Sequence, residues 1–251
     1  MKRTAFFTVL ILICSVAFSQ ESTKAFTTGE TLKYSLYYGI MDGGEATISL
    51  EKTKNGEFHA KAVAKTVGMV KWFLDMNDVY ESYFNPTTCK PSVAIRNIKE
   101  NSYKYYDEVK YDHTNHTIQS KKNGTVKVPN DIYDIVSSLY QMRNFGFGKM
   151  KYNDTLTTAI YFEDEIYQFQ VIYKGKDKVT TKLGTFNALK FQPVVEVGRV
   201  FRHEDDVLFW VSDDANLIPL RAEFNVLIGS IKCDLLEYSG TSKPVNKAKK
   251  N

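Results

Sequence analysis

Apolar and aromatic side chains recur at every second position through most of this chain. In TLKYSLYY at 31–38, Leu32, Tyr34 and Leu36 share one face. Similar alternation continues in about a dozen segments separated by short turn signals. A period of two is typical of β-strands, because successive side chains point to opposite faces. Aromatic residues, 14% of the chain, also favour a half-buried pleated surface. The pattern therefore predicts an all-β, mainly antiparallel protein.

A sheet of about a dozen strands is not expected to stay flat, because strands twist and large sheets close, split or bend. We therefore predict one strongly curled sheet, a half-barrel or open barrel, in a single domain at 20–242. The DGG sequence at 42–44 predicts the first hairpin turn. The small side chains of Ala60, Ala62 and Ala64 predict either space above the sheet or a bulky neighbour there.

One segment, DIYDIVSSLYQMR at 131–143, has helical rather than strand periodicity. Asn130 or Asp131 is the predicted N-cap, and Gly146 or Gly148 the predicted end. An isolated helix of this length is marginal in water, so we predict that it packs on the curled sheet as a lid or plug. Its apolar face comprises Ile132, Ile135, Val136, Leu139 and Tyr140.

The first residues, 1–19, have the features of a secretory signal peptide: a basic pair, an apolar run and the small-residue pattern AFS before a predicted cut at Gln20. A rival prediction is a lipoprotein acylated at Cys14, but Ile13 is bulkier than the residue expected before such a cysteine. The apolar run is shorter than the roughly 20 residues that span a bilayer, and no later segment is longer. The sequence predicts an exported protein without a transmembrane segment.

The net charge of +4 comes from the two ends of the chain. The basic pair near the start and four lysines in the last ten residues leave the body close to neutral, so nucleic acid is not an expected partner. Residues 243–251 are predicted to be a disordered basic tail. An outer-membrane barrel is disfavoured, because segments such as SYKYYDEVKY at 102–111 carry charges on both faces.

Candidate catalytic and metal-binding residues do not form a known motif. His113 and His116 lack an evident third ligand, and no phosphate loop is present, so neither a metal site nor a cofactor is predicted. Cys89 and Cys233 could form a disulfide, although two separate thiols are favoured. Glycan hydrolysis needs two carboxylates on opposite sides of a bond. A hydrolase or transferase acting on envelope glycan remains an alternative if the fold brings together Asp75, Asp78 and Asp213.

The chain carries, in this order, the motifs GETLKYSLYYGI, GGEA, DIVSSLYQMR, LGTF and LFWVSDDANLIPLRAEF, with Gly229 after the last. Together they resemble bacterial exported proteins catalogued as domain of unknown function 3108, over about residues 29–240. The resemblance implies a β-rich protein of the bacterial periplasm or cell envelope, with no catalytic residues to carry over. The general plan is also similar to the half-barrels of periplasmic lipoprotein carriers.

The favoured hypothesis is a non-catalytic envelope protein whose concave sheet shelters an apolar or lipid-like ligand, or a lipidated partner. Leu139, Tyr140 and Arg143 of the helix are candidate ligand-binding residues, with the Tyr140 hydroxyl and Arg143 near the mouth. Trp72 and Phe73 in GMVKWFLD form either a lip on this trough or a short segment packed into the core. A purely structural or interaction protein is a further alternative.

Overall fold

The computed structural model describes residues 25–145, 147, 150–195, 206–225 and 229–248. The predicted signal peptide and the predicted glycine caps of the helix lie outside these residues. Within the described ranges, no helix is long and apolar enough to cross a membrane. The strands are β1 (Thr31–Tyr38), β2 (Met41–Lys52), β3 (Phe58–Thr66), β4 (Asn77–Phe84), β5 (Pro91–Glu100), β6 (Tyr103–Asp112), β7 (Thr117–Ser120), β8 (Gly124–Lys127), β9 (Ile132–Tyr133), β10 (Thr155–Phe162), β11 (Glu165–Thr181), β12 (Gly184–Pro193), β13 (Val207–Ser212), β14 (Pro219–Asn225) and β15 (Ser230–Ser239). The helices are α1 (Val70–Phe73) and α2 (Ile135–Arg143).

All these strands belong to one sheet, in the order β8-β7-β6-β5-β4-β3-β2-β1-β15-β14-β13-β12-β11-β10-β9. Strands that follow each other in the chain are neighbours, and β1 pairs with β15 to join the two halves. The pairing of β9 with β10 is parallel, whereas the other pairs are antiparallel. The predicted all-β, mainly antiparallel fold is confirmed.

The sheet curls until the two ends of its strand order meet through side chains. Ile118 of β7 shares a buried cluster with Ala159 and Tyr161 of β10. Lys122, after β7, pairs with Asp164, after β10, at 2.8 Å. In the strand order of the described residues, β8 and β9 are the two outermost strands and do not pair with each other. The result is the predicted curled, open sheet.

The first hairpin turns earlier than its glycines predict. Gly39 and Ile40 connect β1 to β2, so the predicted turn at 42–44 is wrong. Gly43 instead lies inside β2, where the register with β1 shifts. A Cβ at this position would lie 3.2 Å from Val70 Cγ2. The glycine therefore serves a bulge against which α1 lies closely.

Helix α2 packs against the sheet face that carries Leu50 and Ala60. Val136 and Tyr140 are buried in one cluster with these two residues. Fully burying such a side chain contributes roughly 1.5 to 3 kcal/mol, which offsets the marginal stability of a short helix. The sheet therefore stabilises the helix, as predicted.

The N-cap of α2 is Asp134. Its carboxylate accepts hydrogen bonds from the backbone N–H groups of Val136 at 2.8 Å and Ser137 at 3.0 Å. The Ser137 hydroxyl accepts from the Asp134 N–H at 3.1 Å and completes a capping box. The predicted caps Asn130 and Asp131 are wrong, because β9 follows them and keeps the backbone extended beside β10.

The segment 243–248 is held against the fold. The Lys243 N–H donates to Asn216 Oδ1 at 2.8 Å, and the Asn246 N–H donates to Asp214 Oδ2 at 2.9 Å. The prediction of a disordered tail is wrong for these residues, because side chains of the β13–β14 turn accept hydrogen bonds from their backbone.

The two cysteines of the described chain do not form a disulfide. Cys89 lies in the β4–β5 turn and accepts a hydrogen bond from Asn144 Nδ2 at 3.3 Å, whereas Cys233 lies in β15. Burial raises the pKa of the Cys233 thiol to about 12, so its reactive thiolate form is scarce at neutral pH. The favoured prediction of two separate thiols is confirmed.

Candidate functional site

An open apolar cavity of about 260 Å³ lies between α2 and the sheet. We call it the α2 cavity. Its walls come from α2 and from strands β2, β3, β4 and β10, and the small side chain of Ala62 leaves space on the β3 side. Of the two predicted alternatives, space is present beside Ala62, whereas Ala60 is buried against bulky neighbours. The lining residues are Ile48, Ala62, Tyr80, Ile135, Val136, Leu139 and Phe162.

The first turns of α2 form one wall of this cavity. Val136 is buried and Leu139 is half-buried. Ile135, the first residue of the helix, is an apolar side chain that is 40% exposed. Apolar area that a ligand removes from water contributes about 25 cal/mol per Å² to binding. The partly exposed wall of α2 therefore suits an apolar ligand group.

Arg96 of β5 lies beside the cavity. Its guanidinium carbon is 4.7 Å from the ring centre of Phe162 and 6.0 Å from that of Tyr80, and both rings line the cavity. Its Nη2 lies 3.2 Å from Glu163 Oε1, whereas its buried Nε has no hydrogen-bond partner among the described residues. The Glu163 side chain is 58% exposed, and such surface pairs contribute about 0 to 1 kcal/mol. A ligand anion could therefore replace Glu163 at small cost.

A narrow crevice of about 30 Å³ adjoins the cavity at Tyr80 and Phe162. Arg96 lines this crevice together with Tyr111 and Tyr161, whose buried hydroxyls have no partner in the described part of the chain. A cavity needs roughly 10 to 15 Å³ to hold a water molecule, so the crevice has room for at least one water or one small ligand group. Burial raises the pKa of Tyr111 well above its ordinary value, so its hydroxyl remains a donor.

Two carboxylates that line the crevice are engaged elsewhere. The Ser82 hydroxyl donates to Asp134 at 2.6 Å, and the Ser120 hydroxyl donates to Asp107 at 2.9 Å. Burial raises the pKa of Asp134, and its hydrogen bonds only partly offset this effect. Glu81 and Asp164 also line the crevice and pair with Lys61 and Lys122. Glu163 is the carboxylate that pairs with Arg96.

Arg143 ends α2 in a buried ion pair. Its Nη1 and Nη2 donate to the Glu30 carboxylate at 2.6 and 2.8 Å, and its Nε donates to the Asn216 carbonyl at 3.1 Å. Burial opposes the charged form, but the hydrogen bonds and charge of Glu30 outweigh it and raise the pKa of Arg143. The side chain is 3% exposed, so the structure places Arg143 in the core and not at a mouth.

Tyr140 also lies in the core. Its ring centre is 4.8 Å from that of Phe26 and 5.3 Å from that of Phe84, and burial raises the pKa of its hydroxyl. The expected position of this hydroxyl near a mouth is wrong, because the aromatic cluster encloses it. Leu139 does line the α2 cavity, and of the three helix residues predicted to bind a ligand it alone lies there.

The predicted residues Trp72 and Phe73 lie in α1, where they are 88% and 84% exposed. The interpretation of their segment as part of the core is therefore wrong. Neither residue lines the α2 cavity.

The three acids of the glycan-enzyme alternative do not converge. Asp78 of β4 is buried and accepts a hydrogen bond from the Lys99 N–H at 3.1 Å, and Asp75 lies just before β4. Asp213 follows β13 and pairs with Lys176 at 2.8 Å. In the sheet, β3, β2, β1, β15 and β14 separate β4 from β13. The fold therefore gives these carboxylates separate roles.

The turn with two histidines supports the fold. Nε2 of His113 lies 2.7 Å from the carbonyl oxygen of Pro91, and its ring stacks on Tyr111 with 6.0 Å between centres. His116 adopts a positive φ of 54° in the turn. Across the described ranges, no three His, Cys, Asp or Glu side chains are grouped as metal ligands.

Sequence reasoning missed Arg96. A basic residue in the polar strand sequence SVAIRNIKE is typical of a solvent-exposed face, and its aromatic neighbours come from β4, β6 and β10. β4 and β6 flank β5 as consecutive strands, but no local pattern brings β10 close to them.

Comparisons with solved structures agree with this architecture. A β-barrel-like protein of domain of unknown function DUF1849 from Brucella abortus is similar, with a TM-score of 0.57 and 8% identity. The match covers 85% of this chain and 98% of that chain. At this identity the likeness shows the fold alone.

Two further solved structures match less closely. A protein from Bacteroides fragilis described as exported, with a YmcC-like fold, gives a TM-score of 0.37 at 10% identity, covering 85% of this chain and 97% of that chain. A protein from Parabacteroides distasonis described as a lipoprotein gives 0.34 at 12% identity, covering 86% and 98%. No curated protein gives a significant match. The family profile described as protein of unknown function, DUF3108, matches residues 33–236, so this chain belongs to that family.

Proposed function

We propose that this protein is an exported binding protein of the bacterial cell envelope that holds the apolar chain of a lipid-like ligand, or of a lipidated partner, in the α2 cavity. The observation that supports this is the open apolar cavity of about 260 Å³. Ligand cavities are mainly apolar and usually measure about 300 to 1,000 Å³. The α2 cavity is slightly smaller than this range, so it suits one acyl chain better than a lipid with several.

The ligand chain would contact the wall of α2 that is only partly covered. Ile135 and Leu139 expose apolar surface to the cavity, and a chain lying on Ala62 would cover it. The ion pair of Arg143 with Glu30 already holds the other end of α2 in place before a ligand binds. A preformed cavity of this kind loses little conformational entropy on binding.

Arg96 would supply the polar contact. A ligand carboxylate or phosphate near Phe162 could accept hydrogen bonds from Nε, which is unpartnered among the described residues, and from Nη2 in place of Glu163. Hydrogen bonds between charged groups are roughly twice as strong as neutral ones. The proposed ligand class is therefore an anionic amphiphile with one chain.

The test combines lipid extraction with a binding measurement. Protein purified from its native envelope is extracted with organic solvent, and the amount of bound lipid is compared with that in Ala62→Leu. We expect about one lipid per wild-type molecule and little in the variant, because the added side chain fills a small cavity. Palmitate should bind the wild-type protein about tenfold or more tightly than the variant.

Val63→Leu is the matched control, since adjacent residues of β3 point to opposite faces of the sheet. This variant should retain lipid and palmitate as the wild-type protein does. Absence of lipid from the wild-type protein, together with equal palmitate affinity in all three proteins, would overturn the proposal.

A further inference from the structure

Five large apolar side chains project at one end of the sheet, where β1 turns into β2 and where β3 leads through α1 into β4. Ile40 is fully exposed and Met69 is 68% exposed. Such a concentration of exposed apolar side chains marks an interaction site more often than chance exposure. We call this surface the apolar tip; it consists of Ile40, Met41, Met69, Trp72 and Phe73.

A hydrogen bond and a close contact join the two segments of the apolar tip, the β1–β2 hairpin and the segment that contains α1. The Val67 N–H donates to the Gly43 carbonyl at 3.1 Å, and Val70 approaches Gly43 closely. Behind them, the Asp75 N–H donates to Asn101 Oδ1 at 2.8 Å. The hairpin and α1 therefore present their apolar side chains as one surface.

Charged side chains next to the apolar tip are arranged in pairs of opposite sign. Pairing reduces the cost of bringing charges close to an apolar phase. It also leaves little net charge to attract a charged partner. The pairs are Lys71 with Asp75 at 3.8 Å, Lys65 with Glu45 at 3.2 Å and Lys182 with Asp42 at 3.8 Å.

We propose that the apolar tip docks on a lipid bilayer and inserts Trp72, Phe73 and Ile40 among the lipid head groups. Aromatic and large apolar side chains are the residues that anchor proteins at this interface. Side chains as highly exposed as Ile40, Trp72 and Phe73 suit a fluid phase that closes around each one, whereas a protein partner would need a matching pocket for each. The charge pairs beside the apolar tip leave little net charge, which also favours a lipid bilayer over a charged partner. Docking is a property beyond ligand binding in the α2 cavity.

Tryptophan fluorescence gives a direct test, because the chain has two tryptophans with different environments. Trp72 is exposed, whereas Trp210 is buried. Adding phosphatidylcholine vesicles to protein purified from its native envelope should shift the emission to shorter wavelength as Trp72 leaves water. Trp72→Phe should abolish the shift and still bind the vesicles, since phenylalanine preserves the apolar contact.

Vesicle flotation tests the docking residues themselves. The double variant Trp72→Ala with Phe73→Ala should bind about tenfold or more weakly than the wild-type protein. Tyr152→Ala, which removes an exposed aromatic ring before β10, should bind normally. Because the neighbouring charges are paired, high salt should change wild-type binding by less than about twofold.

Three results would overturn the proposal. In the first, the wild-type protein does not float with the vesicles, and in the second, the double variant floats as well as the wild-type protein does. The third result is a wild-type protein that is dimeric and a double variant that is monomeric. The last result would assign the apolar tip to a second copy of the chain. Palmitate binding by Ala62→Leu measures the α2 cavity alone, so the docking proposal and the proposed function can fail separately.

Discussion

The two ends of helix α2 differ in what they contact. At its C-terminal end, Arg143 forms a buried ion pair with Glu30, and Tyr140 lies in an aromatic cluster. Near its N-terminal end, Ile135 and Leu139 face an open cavity. The C-terminal end and the buried Val136 therefore fix the helix on the sheet, which leaves the side that carries Ile135 and Leu139 incompletely packed and available to a ligand.

The largest expected effect comes from removing the anchor. Arg143→Met leaves the Glu30 carboxylate buried without its partner, which should lower the free energy of unfolding by about 3 to 5 kcal/mol. Denaturant unfolding measures this loss. Lys33→Met is the matched control, because Lys33 pairs with Glu237 at the solvent-exposed surface, and it should leave the free energy of unfolding almost unchanged. Equal losses in the two variants would contradict the anchoring role.

Arg96→Gln tests whether the α2 cavity binds a charged head group at Arg96. It removes the cation beside Phe162, and hydrogen bonds to charged groups contribute about 1.5 to 3 kcal/mol. Palmitate should therefore bind about tenfold or more weakly. Hexadecanol, which has the same chain without the charge, should bind both proteins equally. A similar loss for the two ligands would show that Arg96 shapes the cavity and does not bind the head group.

Leu139→Ala should have a smaller effect on stability than an equivalent change in the core. Leu139 is half-buried at the cavity wall, so truncation should cost about 1 kcal/mol and release bound lipid. Leu50→Ala removes a fully buried side chain and should cost about 2 to 5 kcal/mol without affecting lipid retention per folded molecule. Thermal unfolding and lipid extraction on both variants check this. A full core penalty in Leu139→Ala, with no lipid in either protein, would leave α2 as a plug.

The sheet and the cavity could be predicted because each depends on a local pattern. Alternation along β1 and β2 needs only residues two positions apart, and it is independent of the rest of the chain. The run of small residues at Ala60 and Ala62 likewise indicates where space can exist above the sheet, whatever covers it.

Polar contacts across the fold could not be predicted in this way. In β4, the polar residues Asp78 and Ser82 interrupt one face of the strand, so neither face is continuously apolar. The Ser82 hydroxyl donates a hydrogen bond to Asp134, 52 positions away. Glu30 lies 113 positions from Arg143, so the sequence gives no sign that this arginine is paired and buried. Each of these partners is set by the curl of the sheet and not by any repeating pattern.

The smallest expected effect concerns the buried carboxylate at the cavity end of α2. Burial raises the pKa of Asp134 from an ordinary value of 3.8, so the folded protein holds this proton more tightly than the unfolded chain. Stability should therefore fall as the pH rises above about 3.8 and level off above the folded-state pKa. Asp134→Asn removes this loss and keeps the cap, because asparagine and aspartate are comparable N-caps. The variant should gain stability relative to the wild-type protein as the pH rises.

An exposed aspartate gives the opposite sign and serves as the control for this prediction. Hydrogen bonds from Asn115 lower the pKa of Asp112, so its contribution to stability is present above the ordinary pKa and disappears as the pH falls through the folded-state value. Asp112→Asn should therefore lose stability relative to the wild-type protein as the pH rises, whereas Asp134→Asn gains it. Unfolding curves collected from acid to neutral pH compare the two variants. A shared sign would mean that the Asp134 carboxylate is stabilised by the helix N-terminus more than it is penalised by burial, so that both ends of α2 hold their charges favourably.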